Sequence, residues 1–128
     1  MAGTFKFELV SPERVLLSED VEHVVLPGIE GDLGILQGHA PLVVTLRPGV
    51  ISVLDGDASR KIFVKEGFAE FTPDTLNVLA EQAVNLGGVE RSEIDALISA
   101  TEAELADAGD DDNKRYLASS ALDALRAV

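Results

Sequence analysis

The sequence predicts a mainly β chain with α. Residues 1–86 read as an N-terminal β-sandwich or flattened barrel of about ten short strands, and residues 87–128 as a C-terminal antiparallel helical hairpin. Three observations carry this reading. Short apolar runs recur at nearly even spacing through the first part. Pairs of turn-forming residues separate them. At Gly87-Gly88 the hydrophobic period changes from that of strands to that of helices.

Taken in order, Phe5-Lys6-Phe7-Glu8-Leu9 alternates apolar and polar side chains, the period of a half-buried strand. Ser11-Pro12 interrupts it, and Val15-Leu16-Leu17 opens a second run. Further runs are Val24-Val25-Leu26, Leu42 to Leu46, Val50 to Leu54, Ile62-Phe63-Val64, Gly67 to Phe71 and Leu76 to Leu79. Pro27-Gly28, Pro48-Gly49, Asp55-Gly56 and Pro73-Asp74 lie between them, pairs whose backbone preferences set turn dihedrals. Residues 50–66 are expected to form a hairpin around Asp55-Gly56-Asp57. Beyond the glycine pair, the one expected hinge, Ile94, Leu97, Ile98, Thr101 and Leu105 recur at helical spacing, with Ser92 and Asp95 placed as a capping box. The polar stretch from Asp107 to Asp112 breaks that helix. Leu117, Ala121, Leu125 and Val128 then mark one stripe of a second, with acidic residues before its start and Arg126 at its end, both suited to the helix dipole. The Ala-rich face predicts a thin interface and a hairpin that docks weakly.

Composition limits the function classes. A chain of 128 residues, 46% hydrophobic, is one core's worth of globular protein and not a disordered segment. No apolar stretch is long enough for a membrane helix, and the first residues lack the pattern of a signal peptide. The absence of cysteine excludes disulfides and thiolate metal sites. Net charge is −13, with 13 acidic and six basic residues up to Gly88 and ten and four beyond it. Acidity spread over both parts repels phosphate backbones and anionic lipid, so no nucleic-acid partner and no direct membrane insertion are expected. A cytoplasmic protein that meets membranes only through a protein partner fits these limits.

Sites of chemistry are few. The stretch from Pro27 to Leu42 holds four glycines within eleven residues, Gly28, Gly31, Gly34 and Gly38. No Gly-Lys-Ser/Thr follows, so the glycines are expected to serve tight turns and close approach in a loop shaped for contact. His23 and His39 are the only histidines. His39 lies near Asp32 and Glu30 in sequence, yet no nucleophile or third ligand accompanies them, so no catalytic residue, metal or cofactor is assigned. Asp110-Asp111-Asp112 lacks the alternating ligands of a calcium loop and reads as a solvated helix start.

Glu30-Gly31-Asp32-Leu33-Gly34-Ile35, then Gly38-His39-Ala40-Pro41-Leu42, then Arg47-Pro48-Gly49-Val50-Ile51, resembles the signature of epsilon subunits of bacterial F-type ATP synthases, whose mitochondrial counterpart is called delta. Phe7 to Pro12, Gly67-Phe68-Ala69-Glu70 and the closing hairpin fit the same family in the same order, so the resemblance spans essentially the whole chain. It implies a non-catalytic subunit of the central stalk, or rotor, held peripherally at the cytoplasmic face of the bacterial inner membrane. There the sandwich binds the gamma subunit and stands on the polar loops of the membrane c-ring, coupling proton flow to ATP synthesis. By motif position Glu30, Gly31 and Asp32 fall at the c-ring contact, and Ser11 and His39 at the gamma contact.

The resemblance also implies that the hairpin can extend along gamma to the alpha and beta catalytic subunits and restrain ATP hydrolysis. Some family members bind ATP through Ile/Leu-Asp-x-x-Arg-Ala on the first helix. The matching stretch here is Ile94-Asp95-Ala96-Leu97-Ile98-Ser99, with Ile98 in place of Arg and Ser99 in place of Ala. Losing that cation removes a phosphate partner. With Lys114, Arg115 and Arg126 its only basic residues, the second helix is expected to be at most a weak brake. The rival reading is an ATP-sensing regulatory subunit on the same fold, and Ile98 discriminates between the two.

Overall fold

The structure is a computed structural model that describes residues 3–55 and 58–128. Among the described residues there are ten strands: β1 Phe5–Val10, β2 Val15–Val21, β3 His23–Gly28, β4 Gly31–Leu36, β5 Leu42–Leu46, β6 Gly49–Asp55, β7 Ala58–Val64, β8 Gly67–Thr72, β9 Thr75–Ala80 and β10 Ala83–Asn85. A 3-10 turn at Leu86–Gly88 leads to α1, Arg91–Asp107, and α2, Asp112–Arg126. The strand order is β10-β7-β6-β3-β5-β8-β9-β1-β2, with β4 on the other edge of β3. Every pairing is antiparallel except β1 with β9. The sheet curls so that its two ends approach. Arg60 on β7 pairs with Glu19 on β2, and the backbone N–H of Glu22 donates to Asp55 at 2.9 Å.

Alternation along the strands fills the curl. Phe5, Phe7 and Leu9 of β1 point inward with Phe71, Leu76, Val78, Leu26, Ile35 and Ile51. Phe5 and Phe71 meet edge to face, with ring centroids 5.5 Å apart. A second, smaller cluster lies between the outer face of β6, β7 and β10 and the helices. It comprises Phe63, Leu86, Ile94, Ala121 and Leu125, with Val50, Val84, Leu97 and Ile98 packed against it.

The expected class and the expected strand runs are found, with corrections at particular residues. The segment after Pro27-Gly28 is not a loop. Pro27 and Gly28 belong to β3, the turn is Ile29-Glu30, and β4 follows in register from Gly28 opposite Gly31 to His23 opposite Leu36. Leu33 and Ile35 alternate inward there, a two-residue period that the intervening Gly34 disguises. β10 is also additional, three residues long and without an apolar run of its own. The expected turn residues Gly56 and Asp57 lie outside the described residues.

The capping box is not formed. Glu90 occupies the N-cap position, its side chain caps nothing, and Ser92 already lies in the first turn. The chain leaves the 3-10 turn extended at Val89 and must place Ile94 in the second cluster, so the helix starts two residues earlier. The second helix starts as expected, with Asp111 accepting from the Lys114 N–H at 3.1 Å. Val128 lies outside α2 and is exposed, whereas Ala118 and Leu122 join the buried stripe. The hairpin seam is also stronger than its alanines suggest, because Phe63, Leu86, Ile94 and Leu125 anchor it.

Candidate functional site

The β3–β4 turn projects Ile29 and Glu30 from the sandwich. Gly31 adopts φ 139°, a conformation side chains disfavour. A Cβ on Gly28 would stand 2.7 Å from the Gly31 carbonyl oxygen, so the tip closes only with glycine at that position. Arg47, at the β5–β6 corner, braces the tip. Its guanidinium donates to the Gly28 carbonyl and to the Asp32 carboxylate, both at 2.6 Å, while its backbone N–H donates to the Pro27 carbonyl at 2.9 Å. Asp32 is therefore already paired within the chain, although its side chain remains 65% exposed. A pocket of about 380 Å³ opens beside the tip, bordered by Ile29, Glu30, Asp32, Val43 and Thr45.

Around the tip the outer face of the sheet is unexpectedly apolar. Register aligns Val15 with Val10, Val10 with Leu79, and Leu79 with Phe68, one row across β2, β1, β9 and β8. Val15 is 58% and Phe68 46% exposed, and Val43, diagonal to Phe68 on β5, is 70% exposed. Ile29 at the tip is 51% exposed. Single exposed apolar residues are ordinary; a connected row of them is a common feature of interaction surfaces. Phe68 shares its strand parity with Glu70, so its outward position was readable from the alternation. Assembly of the row was not, since its members are distant in sequence.

The structure brings together some of the expected site residues and separates others. Ser11 lies on the β1–β2 turn, its Oγ 3.3 Å from both the N and the O of Arg14. The register carries that end of β1 from Val10 to Leu79, Phe68 and Thr45, next to Leu46, which pairs with Gly28, so Ser11 shares one end of the sandwich with Glu30, Gly31 and Asp32. His39 lies at the other end. Its Nδ1 is 2.7 Å from the Ala40 carbonyl oxygen, and its ring stands edge-on to Phe71 at 6.0 Å, beside the start of β1. Five steps of β1 separate the two ends, about 16 Å at about 3.3 Å per residue.

In α1, Ile94 and Ile98 face the seam, whereas Asp95 and Ser99 are exposed and Asp95 pairs with Arg91 at 3.1 Å. The motif stretch is thus divided between a packed face and a solvent face. Among the described residues no group of three or more side chains is arranged to hold a metal, and no helix is long and apolar enough to cross a membrane. Motif reading includes Arg47 but assigns it no role, and it passes over the apolar row. The signal for Arg47 is a lone cation next to Pro48-Gly49, in a stretch where the acidic Glu30 and Asp32 precede it.

Comparison with known proteins places the chain in a lineage. Residues 4–86 match the family described as ATP synthase, Delta/Epsilon chain, beta-sandwich domain. The ATP synthase epsilon chain of Parvibaculum lavamentivorans is 50% identical over 129 aligned positions, covering 100% of this chain and 97% of that one. The epsilon chain of Rhodospirillum rubrum is 50% identical over 109 positions, covering 84% and 81%. The fold also resembles a chain in the Euglena gracilis mitochondrial ATP synthase OSCP/F1/c-ring structure, with TM-score 0.72, 21% identity and coverage of 96% of this chain and 78% of that one. A chain of the Tetrahymena thermophila mitochondrial ATP synthase central stalk/c-ring gives TM-score 0.57 at 14% identity, covering 94% and 98%. With a family match over residues 4–86 and 50% identity to an epsilon chain aligned over 100% of this chain and 97% of that one, the chain belongs to the ATP synthase epsilon chains, non-catalytic subunits of that complex.

Proposed function

We propose that this chain is a central-stalk subunit of an F-type ATP synthase at the cytoplasmic face of the bacterial inner membrane, where it links gamma to the c-ring and couples proton flow to ATP synthesis. The observation that carries the reading is the shared location of two unlike surfaces. A polar, glycine-shaped tip (Glu30, Gly31, Asp32) adjoins an exposed apolar row (Val15, Leu79, Phe68) at one end of the sandwich. Gamma and the ring meet each other at the foot of a stalk, so a subunit clamping both needs contiguous surfaces for the two. The tip suits the polar ring loops, with backbone close at hand and Glu30 free to pair with a basic loop residue. The apolar row suits a stable protein interface with gamma. Ser11 borders that interface, and contact reaching His39 would run along the length of the sheet.

The same proposal divides the chain into a coupling domain, 1–86, and a helical domain, 87–128, hinged at Gly87-Gly88. Release of the hairpin toward the alpha and beta subunits would expose Phe63, Ile94 and Leu125, so the docked state is favoured and restraint of hydrolysis is weak. ATP sensing is disfavoured by the packing of Ile98 into that seam. The test is recovery of the tagged chain from detergent-solubilised membranes. Gamma and the ring subunit are expected to co-purify, and Phe68→Asp is expected to lose gamma. A chain recovered without either subunit would overturn the proposal.

A further inference from the structure

The helical hairpin and the tip touch the same few residues. The Ser120 hydroxyl of α2 donates to the Pro48 carbonyl at 2.6 Å, a half-buried bond between residues 72 apart in sequence. Pro48 follows Arg47, whose three hydrogen bonds hold Pro27, Gly28 and Asp32. On the other side of Pro48, a Cβ on Gly49 would stand 2.8 Å from the Pro27 Cβ, so the corner lies flush against the end of β3. A groove of about 390 Å³ runs along this junction, bordered by Asp32, Arg47, Pro48, Ser120 and Asp123. The β5–β6 corner is therefore gripped by α2 on one side and grips the tip on the other.

We propose that Arg47 is a positioning residue that ties the shape of the β3–β4 tip to the docking of the helical hairpin, through Ser120, Pro48 and Asp32. Docked, α2 fixes the Pro48 carbonyl and with it the base of the Arg47 side chain. Undocked, the corner loses that anchor, and the guanidinium holds Gly28 and Asp32 less firmly. Coupling of this kind is reciprocal, so loosening the tip must loosen α2 to the same degree. The partner-facing role of the tip rests on the function proposed above; the coupling is a property of the chain by itself and is measurable without any partner.

Amide hydrogen exchange on the isolated full chain tests it. Two amides report on the tip and corner, Ile29 donating to Thr45 and Arg47 donating to Pro27, and Lys6 donating to Asp74 reports on the opposite end. Ser120→Val and Ser120→Thr have nearly the same shape and differ in the hydroxyl. Ser120→Val is expected to speed exchange at Ile29 and Arg47 about fivefold, the effect of one ordinary hydrogen bond, and to leave Lys6 unchanged. Ser120→Thr is expected to stay within about twofold of the parent. Arg47→Gln is expected to speed exchange in α2 by a similar factor. Three results would each overturn the proposal: unchanged tip amides in Ser120→Val, equal behaviour of the Val and Thr variants, or an α2 indifferent to Arg47→Gln. Failure to recover gamma or the ring from membranes would instead count against the functional reading and leave this linkage standing.

Discussion

Phe68 and Phe71 are three residues apart on one strand, yet they answer to different demands. Phe71 is fully buried against Phe5 in the main core, and Phe71→Ala is expected to cost about 3–5 kcal/mol of stability, read by denaturant unfolding. Phe68 stands outside, and Phe68→Ala is expected to change stability by less than about 0.5 kcal/mol. Its effect should appear in association, as an affinity for gamma about tenfold weaker, typical of truncating an aromatic interface anchor. Ile98 poses a similar question on the helical side. It packs in the hairpin seam, so installing Arg there desolvates a guanidinium and does not simply restore an ATP contact. Calorimetry is expected to show no saturable ATP binding by the parent chain at millimolar nucleotide, and none in Ile98→Arg. Saturable binding by either protein would restore the ATP-sensing alternative.

Among the elements, strands with unbroken alternation were legible in the sequence. The β1 pattern of Phe5, Phe7 and Leu9 appears directly as an inward row. β4 was hidden because glycines occupy two of its outward positions or ends, leaving only Leu33 and Ile35 to show a period. The helical stripe from Ile94 to Leu105 was equally plain, but its partner surface was not, since in the sequence Phe63 shows only a place in a strand run. That surface changes the energetics of the hairpin. Exposed pairs such as Lys65 with Glu104 and Arg126 with Glu102 contribute little, whereas the buried contacts of Ile94 and Leu125 dominate. Leu125→Ala is expected to cost about 2–5 kcal/mol of docking. Exchange should then accelerate throughout α1 and α2 and stay slow at Phe7 and Val78 in the main core. Equal acceleration at all these positions would mean that sheet and hairpin unfold as one unit.

For the whole molecule, the lineage was legible because a long, ordered set of short motifs runs through the chain. The site was legible only in part, because sites here depend on which strand ends lie together. Ser11 and Asp32 share an end through five successive strand pairings, while His39 lies at the other. Local sequence carries no record of such register. The main core closes without the helices, so truncation after Gly88 is expected to restore proton-coupled ATP synthesis to membranes lacking this subunit, with only a modest rise in hydrolysis. A large rise would make the hairpin a strong brake. The central claim, that one end of the sandwich meets gamma and the ring at adjacent surfaces, is tested most directly by crosslinking in the assembled complex. The chain has no cysteine, so single substitutions report without background. With a short crosslinker that is thiol-reactive at one end and photoreactive at the other, Glu30→Cys is expected to join to the ring subunit and Phe68→Cys to gamma, in complexes that still synthesise ATP before the reagent is added. Crosslinks from neither position, or from Glu30→Cys to a catalytic subunit, would contradict the account.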